Sequence, residues 1–219
     1  MATLAVLPIK NFTEAKQRLE TLLSAGPRRA LAEAMFSDVL TALRRSSAVG
    51  DILVVTRDHI AQQIAGGHGA LVLEDEEPGQ SPAAMLGVSY AIDHEYERVL
   101  LVPGDCPMLA PSDVDALIAL PYESPSALIV PDRHGTGTNA LLLTPPDSLP
   151  PAFGPDSCER HVADAKLAGT AAEVVRVASL ELDIDTPEDL EVLRGMLENA
   201  HGGAAHTRGM LSQMLRSRT

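Results

Sequence analysis

The sequence has few cysteines, few aromatic residues and few basic residues, and each scarcity excludes a class of protein. Its 219 residues include two cysteines, Cys106 and Cys158, without neighbours at metal-ligand spacing, so we expect reduced thiols in a cytoplasmic protein. It has no Trp, three Tyr and three Phe, too few to stack the bases of a single-stranded nucleic acid. The formal net charge of −13 also argues against a nucleic-acid binder, which needs a basic face.

Long hydrophobic runs are also missing. No stretch approaches the roughly 20 apolar residues of a membrane span, and the opening MATLAVLPIKNF lacks the basic start and the length of a secretory signal. We therefore expect no membrane association. An acidic protein of this kind can still bind a phosphorylated ligand if metal ions bridge the two negative charges.

Short apolar runs alternate with helical patterns along most of the chain. The runs typical of buried strands are Thr3–Pro8, Asp51–Thr56, Ala70–Asp75, Arg98–Asp105, Ala127–Pro131, Asn139–Thr144 and Glu173–Val177. The helical patterns are Pro27–Arg45, Arg57–Ala65, Pro82–Glu97, Pro111–Leu120, Ser157–Ala168 and a closing helix after a strand-like lead-in, LELD. This alternation predicts an α/β fold with a mainly parallel, twisted sheet and helices on both faces, as a single domain over residues 1–199.

Residues 200–219 break this pattern. They are rich in Gly, Ala and His, carry no acidic residue and end in arginines. Such a composition predicts a flexible C-terminal tail, with at most a short helix at Met210–Leu215.

Basic residues follow the first predicted strand. Ligands of open α/β sheets bind beyond the carboxyl ends of the strands, and Lys10, Lys16 and Arg18 stand just past one such end. As a charged group they are equally consistent with a solvated surface. Their position after a strand favours a site that binds a triphosphate.

Acidic residues occupy two other such positions. Asp105 follows the fourth strand, where it is either a turn residue or a ligand for Mg²⁺. Asp183 and Asp185 are two apart, so in an extended segment they point to the same side, and a cation would relieve their repulsion. Thr186 and Asp189 have the spacing of a capping box, so Asp185 is alternatively only the residue that precedes a helix.

The stretch VPDRHGTGTNALLLTPP, residues 130–146, suggests backbone brought close to an anion. It lacks the Lys-Ser/Thr pair of a nucleoside-triphosphate P-loop. Thr138 can donate a hydrogen bond, and the later FGPDS adds Gly154 and Ser157 near a helix start, where backbone N–H groups attract anions. A tight β-hairpin without a ligand is the alternative.

Five segments together resemble one known family. They are LPIKNFTEAKQRL, VLLVPGDCPML, PDRHGTGTNALLL, FGPDSCERH and LDIDTPEDL. Over Leu4 to about Leu197, in the same order, they resemble the phospholactate/phosphoenolpyruvate guanylyltransferases, which make the phosphoanhydride precursor of the deazaflavin coenzyme. DRHGTGTNALLL and FGPDS are highly specific, whereas LPxK and DxDTPxDL recur in other nucleotidyltransferases.

The resemblance implies a nucleotide-diphospho-sugar transferase-like fold and a Mg²⁺-dependent enzyme. It implies GTP as donor and phosphoenolpyruvate, 2-phospholactate or 3-phosphoglycerate as acceptor. The residues that would bind Mg²⁺ are Asp105, Asp183 and Asp185, which with Lys16 form the predicted catalytic group. The residues that would bind GTP are Lys10, Lys16, Arg18, Gln80 and Ser81. The residues that would bind the acceptor are Thr138, Gly154 and Ser157.

Two segments depart from the family pattern. The loop after the third strand reads EEPGQSPAAMLG, where the family has a Gly-Leu-Asn-Ala-type motif against the nucleotide. Cys106 replaces a usual leucine beside the metal aspartate, which a small apolar thiol tolerates. The alternative functions are a glycosyltransferase of similar fold and a non-catalytic nucleotide sensor. A homodimer is one possible assembly.

Overall fold

One seven-stranded sheet runs through the protein. The computed structural model describes residues 2–75, 79–200 and 202–216. The strands are β1 (Thr3–Pro8), β2 (Asp51–Val55), β3 (Leu71–Leu73), β4 (Arg98–Leu101), β5 (Ser126–Pro131), β6 (Thr138–Thr144) and β7 (Ala171–Val174). They lie in the order β3-β2-β1-β4-β6-β5-β7, and β6 is antiparallel to both neighbours while the other pairs are parallel. The predicted mainly parallel sheet is therefore confirmed.

Helices cover both faces of this sheet. They are α1 (Ala25–Arg45), α2 (His59–Gly67), α3 (Gln80–Asp93), α4 (Pro111–Ile118), α5 (Ser157–Ala168), α6 (Pro187–Asn199) and α7 (Ala205–Arg216). The helices α1, α2 and α4 pack on one face, and α3 and α5 pack on the other. No helix within the described residues is both long and apolar enough to cross a membrane.

The two cores follow from the alternation of side chains along each strand. In β1, Ala5 and Leu7 join the core under α1, whereas Leu4 and Val6 join the core under α3. Successive strand residues point to opposite faces, so a strand buried on both sides reads as a continuous apolar run. For this reason the continuous apolar runs in the sequence predict the positions of the central strands.

Helix α3 lies very close to β1. A Cβ atom added to Gly87 would stand 2.3 Å from Val6 Cγ1, far inside normal contact. Glycine therefore allows α3 to approach the sheet at this point. The helix begins at Gln80, two residues earlier than the sequence indicates, so Gln80 and Ser81 belong to its first turn. The acidic part of the preceding loop, residues 76–78, lies outside the described residues.

The C-terminal segment differs from the expected flexible tail. Residues Ala205–Arg216 form α7, which packs against α1 and adds the buried Leu211 to a third apolar cluster shared with α6. The Asp38 carboxylate of α1 accepts hydrogen bonds from the backbone N–H groups of His206 and Thr207, at 3.0 and 2.8 Å. A carboxylate at the start of α7 pairs with N–H groups that would otherwise lack a partner, and its negative charge interacts favourably with the helix dipole.

The chain before α6 also differs from expectation. The predicted strand at Glu173–Val177 is displaced to Ala171–Val174, and no strand forms at residues 181–185. This segment is irregular because it crosses the carboxyl edge of the sheet instead of joining it. A backbone hydrogen bond from the Ile184 N–H to the Asp105 carbonyl, at 3.2 Å, attaches it to that edge.

Candidate active site

The predicted site residues come from segments that meet at the carboxyl edge of the sheet. The loops after β1 and β4 begin there, and residues 181–185 cross it. Because β6 runs antiparallel to β4, its first residue, Thr138, lies at this same edge. The topology therefore brings together residues that are far apart in the sequence.

Lys16 is the centre of one cluster at this edge. Its backbone has left-handed angles, φ 57° and ψ 38°, and its side chain is only 8% exposed. Its Nζ donates to Asp105 Oδ2, and to Asp185 Oδ1 at 2.9 Å. Burial by itself would lower the pKa of Lys16, but the charges and hydrogen bonds of the two aspartates outweigh it and raise the pKa. Lys16 therefore carries a buried positive charge near pH 7.

The third aspartate, Asp183, lies in a different environment. Burial and the negative charge of Asp105 raise its pKa to about 6, although a hydrogen bond from Asn139 Nδ2, at 3.3 Å, works against the rise. Burial also tends to raise the pKa of Asp185, but Lys16 overrides it and lowers the pKa. Asp183 thus has the unrelieved negative charge that a cation would stabilise.

The three carboxylates differ in how well they suit Mg²⁺. The described residues contain no group of three His, Cys, Asp or Glu arranged to hold a metal ion. Asp105 Oδ1, however, is buried without a hydrogen-bond partner, and Asp105 raises the pKa of Asp183. Mg²⁺ in nucleotide enzymes uses one or two carboxylates together with phosphate oxygens and waters. Asp105 and Asp183 fit that requirement, and Asp185 is held by Lys16.

A cleft of about 450 Å³ opens beside this cluster. Its lining includes Lys10, Lys16, Gln80, Asp105 and Asp185. Two residues predicted to bind GTP, Lys10 and Gln80, and two predicted to bind Mg²⁺, Asp105 and Asp185, therefore share one cavity with Lys16. A volume of this size suits a small-molecule ligand.

Two residues predicted to bind GTP lie elsewhere. Arg18 is exposed and is not part of the cleft lining, though its charge, like that of Lys10, helps to lower the pKa of Asp185. Ser81 Oγ accepts a hydrogen bond from the Phe153 N–H, at 3.1 Å. Ser81 therefore holds the FGPDS segment in place instead of lining the cleft.

The predicted acceptor residues form a second cluster, around the start of α5. The Cys158 N–H donates to the Thr136 carbonyl at 3.0 Å, which joins the helix to the GTGTN loop. Ser157 is 1% exposed and its hydroxyl is buried without a partner. Gly154 has φ 122°, and a Cβ atom there would meet nothing within 4 Å, so its backbone faces open space. The Thr138 hydroxyl contacts a buried histidine, His161, at 3.0 Å.

Residues that the sequence analysis missed connect these clusters. Asn139 follows Thr138 and points to the opposite face, where its amide donates to the Leu180 carbonyl at 2.7 Å and to Asp183. The Asp189 carboxylate accepts from the backbone N–H groups of Asp185 and Thr186, and Arg133 pairs with it at 2.6 Å. The predicted capping box is confirmed, but the arginine that ties it to the GTGTN loop has no local signal.

Comparison with protein families gives one match over nearly the whole chain. The family described as "Guanylyl transferase CofC like" matches residues 3–216. The chain belongs to this family. The matched span includes the helix α7 as well as both clusters.

Named members of the guanylyltransferases differ in their acceptor. The chain is 53% identical to a phosphoenolpyruvate guanylyltransferase of Conexibacter woesei, over 99% of this chain and 98% of the relative. It is 34% identical to a 3-phospho-D-glycerate guanylyltransferase of Colwellia psychrerythraea, over 88% and 91%. It is 32% identical to a 2-phospho-L-lactate guanylyltransferase of Methanothermobacter thermautotrophicus, over 98% and 92%.

Solved structures share the fold of this CofC-like chain at much lower identity. A protein from Desulfovibrio desulfuricans G20 named as a nucleotide-diphospho-sugar transferase has a TM-score of 0.78 at 17% identity, covering 97% of this chain and 95% of its own. A 4-diphosphocytidyl-2C-methyl-D-erythritol synthase has a TM-score of 0.64 at 14% identity, covering 90% and 98%. The predicted fold is confirmed.

Proposed function

We propose that this chain joins GMP from GTP to the phosphate of phosphoenolpyruvate, or of a close phospho-acid such as 2-phospholactate or 3-phosphoglycerate, and releases pyrophosphate. The observation that carries the proposal is the buried Lys16, which contacts Asp105 and Asp185 beside the cleft. A cation and carboxylates at such an edge suit a nucleoside triphosphate and its metal ion. The resemblance to the guanylyltransferases suggests that the product serves deazaflavin coenzyme synthesis.

The donor would lie in the cleft, with its triphosphate toward Lys16. Lys10 reaches the same cavity from the end of β1, and Gln80 offers hydrogen bonds from the start of α3. Arg18, outside the lining, contributes charge at a longer distance. The compact ammonium of a lysine can move from a carboxylate to a phosphate oxygen without losing its charge-assisted hydrogen bond.

Asp105 and Asp183 are the residues that would hold Mg²⁺, and Asp185 would join them once Lys16 moves to the triphosphate. When bound, the ion would neutralise charge on the triphosphate and polarise its α-phosphorus. Asp105 supplies a buried oxygen without a partner. Asn139 orients Asp183, and the Asp189 carboxylate fixes the backbone of Asp185. These contacts position the carboxylates at the carboxyl edge of the sheet.

The acceptor would bind at the start of α5. The Thr138 and Ser157 hydroxyls and the exposed backbone at Gly154 offer neutral donors to a phosphate and a carboxylate. Helix α5 has twelve residues, and the positive end of its dipole lies at the same place.

The reaction requires no covalent intermediate with the protein. A phosphate oxygen of the acceptor forms a bond to the α-phosphorus of GTP, and the bond from that phosphorus to the β-phosphate bridging oxygen breaks. The electron pair of the broken bond leaves with pyrophosphate. A phosphate nucleophile is already ionised at neutral pH, so the chain contributes positioning and charge neutralisation instead of a strong base.

Pyrophosphate release tests this function directly. Purified protein with Mg²⁺ and GTP should release pyrophosphate only when phosphoenolpyruvate, 2-phospholactate or 3-phosphoglycerate is added, and ATP or CTP should be poor donors. Turnover of a sugar nucleotide instead would identify a glycosyltransferase. GTP binding without turnover of any phospho-acid would identify a sensor and would refute the proposal.

A further inference from the structure

His161 belongs to the second cluster, around the start of α5, but has no role in the function proposed so far. It stands one helical turn after Ser157 in α5 and is fully buried. Its ring meets the Phe153 ring edge-on, with centroids 5.6 Å apart and planes at 78°. A buried polar ring that is not hydrogen-bonded destabilises the fold. The partners of its two nitrogens therefore show which nitrogen carries the proton.

One ring nitrogen of His161 can only be an acceptor. The backbone N–H of Ala152 points at Nε2, with N···N at 2.9 Å. A backbone amide nitrogen donates and never accepts. Nε2 must therefore present its lone pair, and the single proton of the neutral ring must sit on Nδ1.

The other ring nitrogen then donates to a residue of the acceptor site. Nδ1 lies 3.0 Å from Thr138 Oγ1, which accepts the Nδ1 proton. A hydroxyl that accepts from one side directs its own hydrogen elsewhere. Burial and the positive charge of Arg160, opposed only by Asp164, lower the pKa of His161 to about 4, so the ring is neutral at pH 7.

We propose that His161 is a positioning residue: the Ala152 N–H fixes its Nδ1–H tautomer, and that tautomer turns the Thr138 hydroxyl into a donor aimed at the acceptor acid. The inference rests on the proposed function, since it assigns Thr138 to the phospho-acid. It explains why a neutral, buried histidine stands between the FGPDS segment and the GTGTN loop. Ser157 offers its unpartnered hydroxyl to the same ligand from one turn earlier.

Two amide substitutions separate this role from simple packing. His161→Asn places an amide nitrogen near the Nδ1 position and keeps a donor to Thr138, while it loses the acceptor for the Ala152 N–H. His161→Gln places its amide oxygen near Nε2 and keeps the contact with Ala152, but leaves Thr138 without a donor. We expect His161→Gln to raise the phosphoenolpyruvate KM roughly tenfold, and His161→Asn to change it much less, with GTP affinity unaltered in both.

A double-mutant cycle with Thr138→Val shows whether His161 acts through that hydroxyl. In the Thr138→Val background, His161→Gln should have no further effect on the phosphoenolpyruvate KM. Additive losses, or equal losses in the Asn and Gln variants, would overturn the proposal. Thr138→Ser is the control, because it keeps the hydroxyl and should keep the sensitivity to His161→Gln.

The tautomer itself can be read in the wild-type protein, even if the variants fold poorly. Nitrogen-15 NMR of labelled histidine should show a protonated Nδ1 and an unprotonated Nε2 for His161 at pH 7. A protonated Nε2 would refute the inference while leaving the proposed function intact. Wild-type protein that binds no phospho-acid in calorimetry would instead refute the proposed function, and the role of Thr138 with it.

Discussion

The two clusters at the carboxyl edge of the sheet differ in whether they present full charges or neutral dipoles. The proposed donor side has full charges: a buried ammonium, Lys16, bridges Asp105 and Asp185, and Asp183 has a raised pKa. The acceptor side uses neutral dipoles: a hydroxyl, a neutral imidazole and the start of a helix. In the proposed function, full charge would balance the triphosphate, whereas fixed neutral donors would bind the small acid without repelling a bound metal ion.

The largest expected effect is the loss of charge on the donor side. Asp183→Asn should lower kcat by roughly a thousandfold. The proposed role of Asp183 is to hold the metal ion, and that ion would neutralise the charge on the reacting phosphates. The pyrophosphate-release assay at saturating Mg²⁺ measures kcat. Asp147→Asn, an exposed residue after the far end of β6, should have no effect, and near wild-type turnover of Asp183→Asn would remove it from the metal site.

The same substitution should stabilise the metal-free protein. The folded-state pKa of Asp183 is raised from 3.8 to about 6, so the folded state binds more protons than the unfolded state between these values. Stability from this group is therefore lost as pH rises from about 4 to 6. Thermal unfolding in a metal chelator should show a higher Tm for Asp183→Asn than for wild type at pH 7, and an equal or lower Tm would contradict the raised pKa.

The second effect concerns the buried ammonium. Lys16→Met keeps most of the apolar stem of the side chain but removes its charge, so GTP affinity should fall by about ten- to a hundredfold, while binding of phosphoenolpyruvate alone changes little. Calorimetric titration with each ligand gives both values. Lys166→Met, at an exposed position in the last turn of α5, is the control. Equal losses of affinity for GTP and phosphoenolpyruvate would contradict the assignment of the two ligands to separate clusters.

The third effect is confined to the acceptor side. Thr138→Val removes one hydroxyl at nearly constant volume, and phosphoenolpyruvate binding should weaken by roughly tenfold, with GTP binding unchanged. Thr136→Val, two residues earlier and exposed, should leave both unchanged. If Thr138→Val weakened GTP binding and left phosphoenolpyruvate binding unchanged, the Thr138 cluster would bind the nucleotide and not the acceptor.

The sequence predicts what local pattern and topology determine. Apolar runs indicate the strands, and the order of parallel strands places Asp105 at the same edge as the residues after β1. Lys16 was predicted as a site residue, but its contact with Asp185 and the contacts of His161 and Asn139 could not be predicted. These contacts join side chains 23 to 169 residues apart. Such contacts depend on how the helices pack, which periodicity alone does not specify.

The C-terminal helix illustrates the same limit. Residues 200–219 are rich in Gly, Ala and His and carry no acidic residue, so the sequence favours a flexible tail. The docking of the helix depends on Asp38, which lies 168 and 169 residues before the two N–H groups that it accepts from. The apolar cluster that receives α7 also contains Leu19, Leu182 and Ile184, which are close in sequence to Lys16, Asp183 and Asp185. The helix therefore supports the donor side and not the acceptor side.

The smallest expected effect on activity comes from this support. Leu211 is 6% exposed in the cluster, so Leu211→Ala should cost about 2–3 kcal/mol of stability, or roughly 5–10 °C in Tm. GTP affinity should fall only a few-fold, because the residues under Lys16 and Asp183 become looser, and phosphoenolpyruvate affinity should not change. Leu167→Ala, at a side chain that is 86% exposed on α5, should leave the Tm unchanged. An unchanged Tm for Leu211→Ala would mean that α7 does not pack against α1 in solution, and the donor side would then be stable without it.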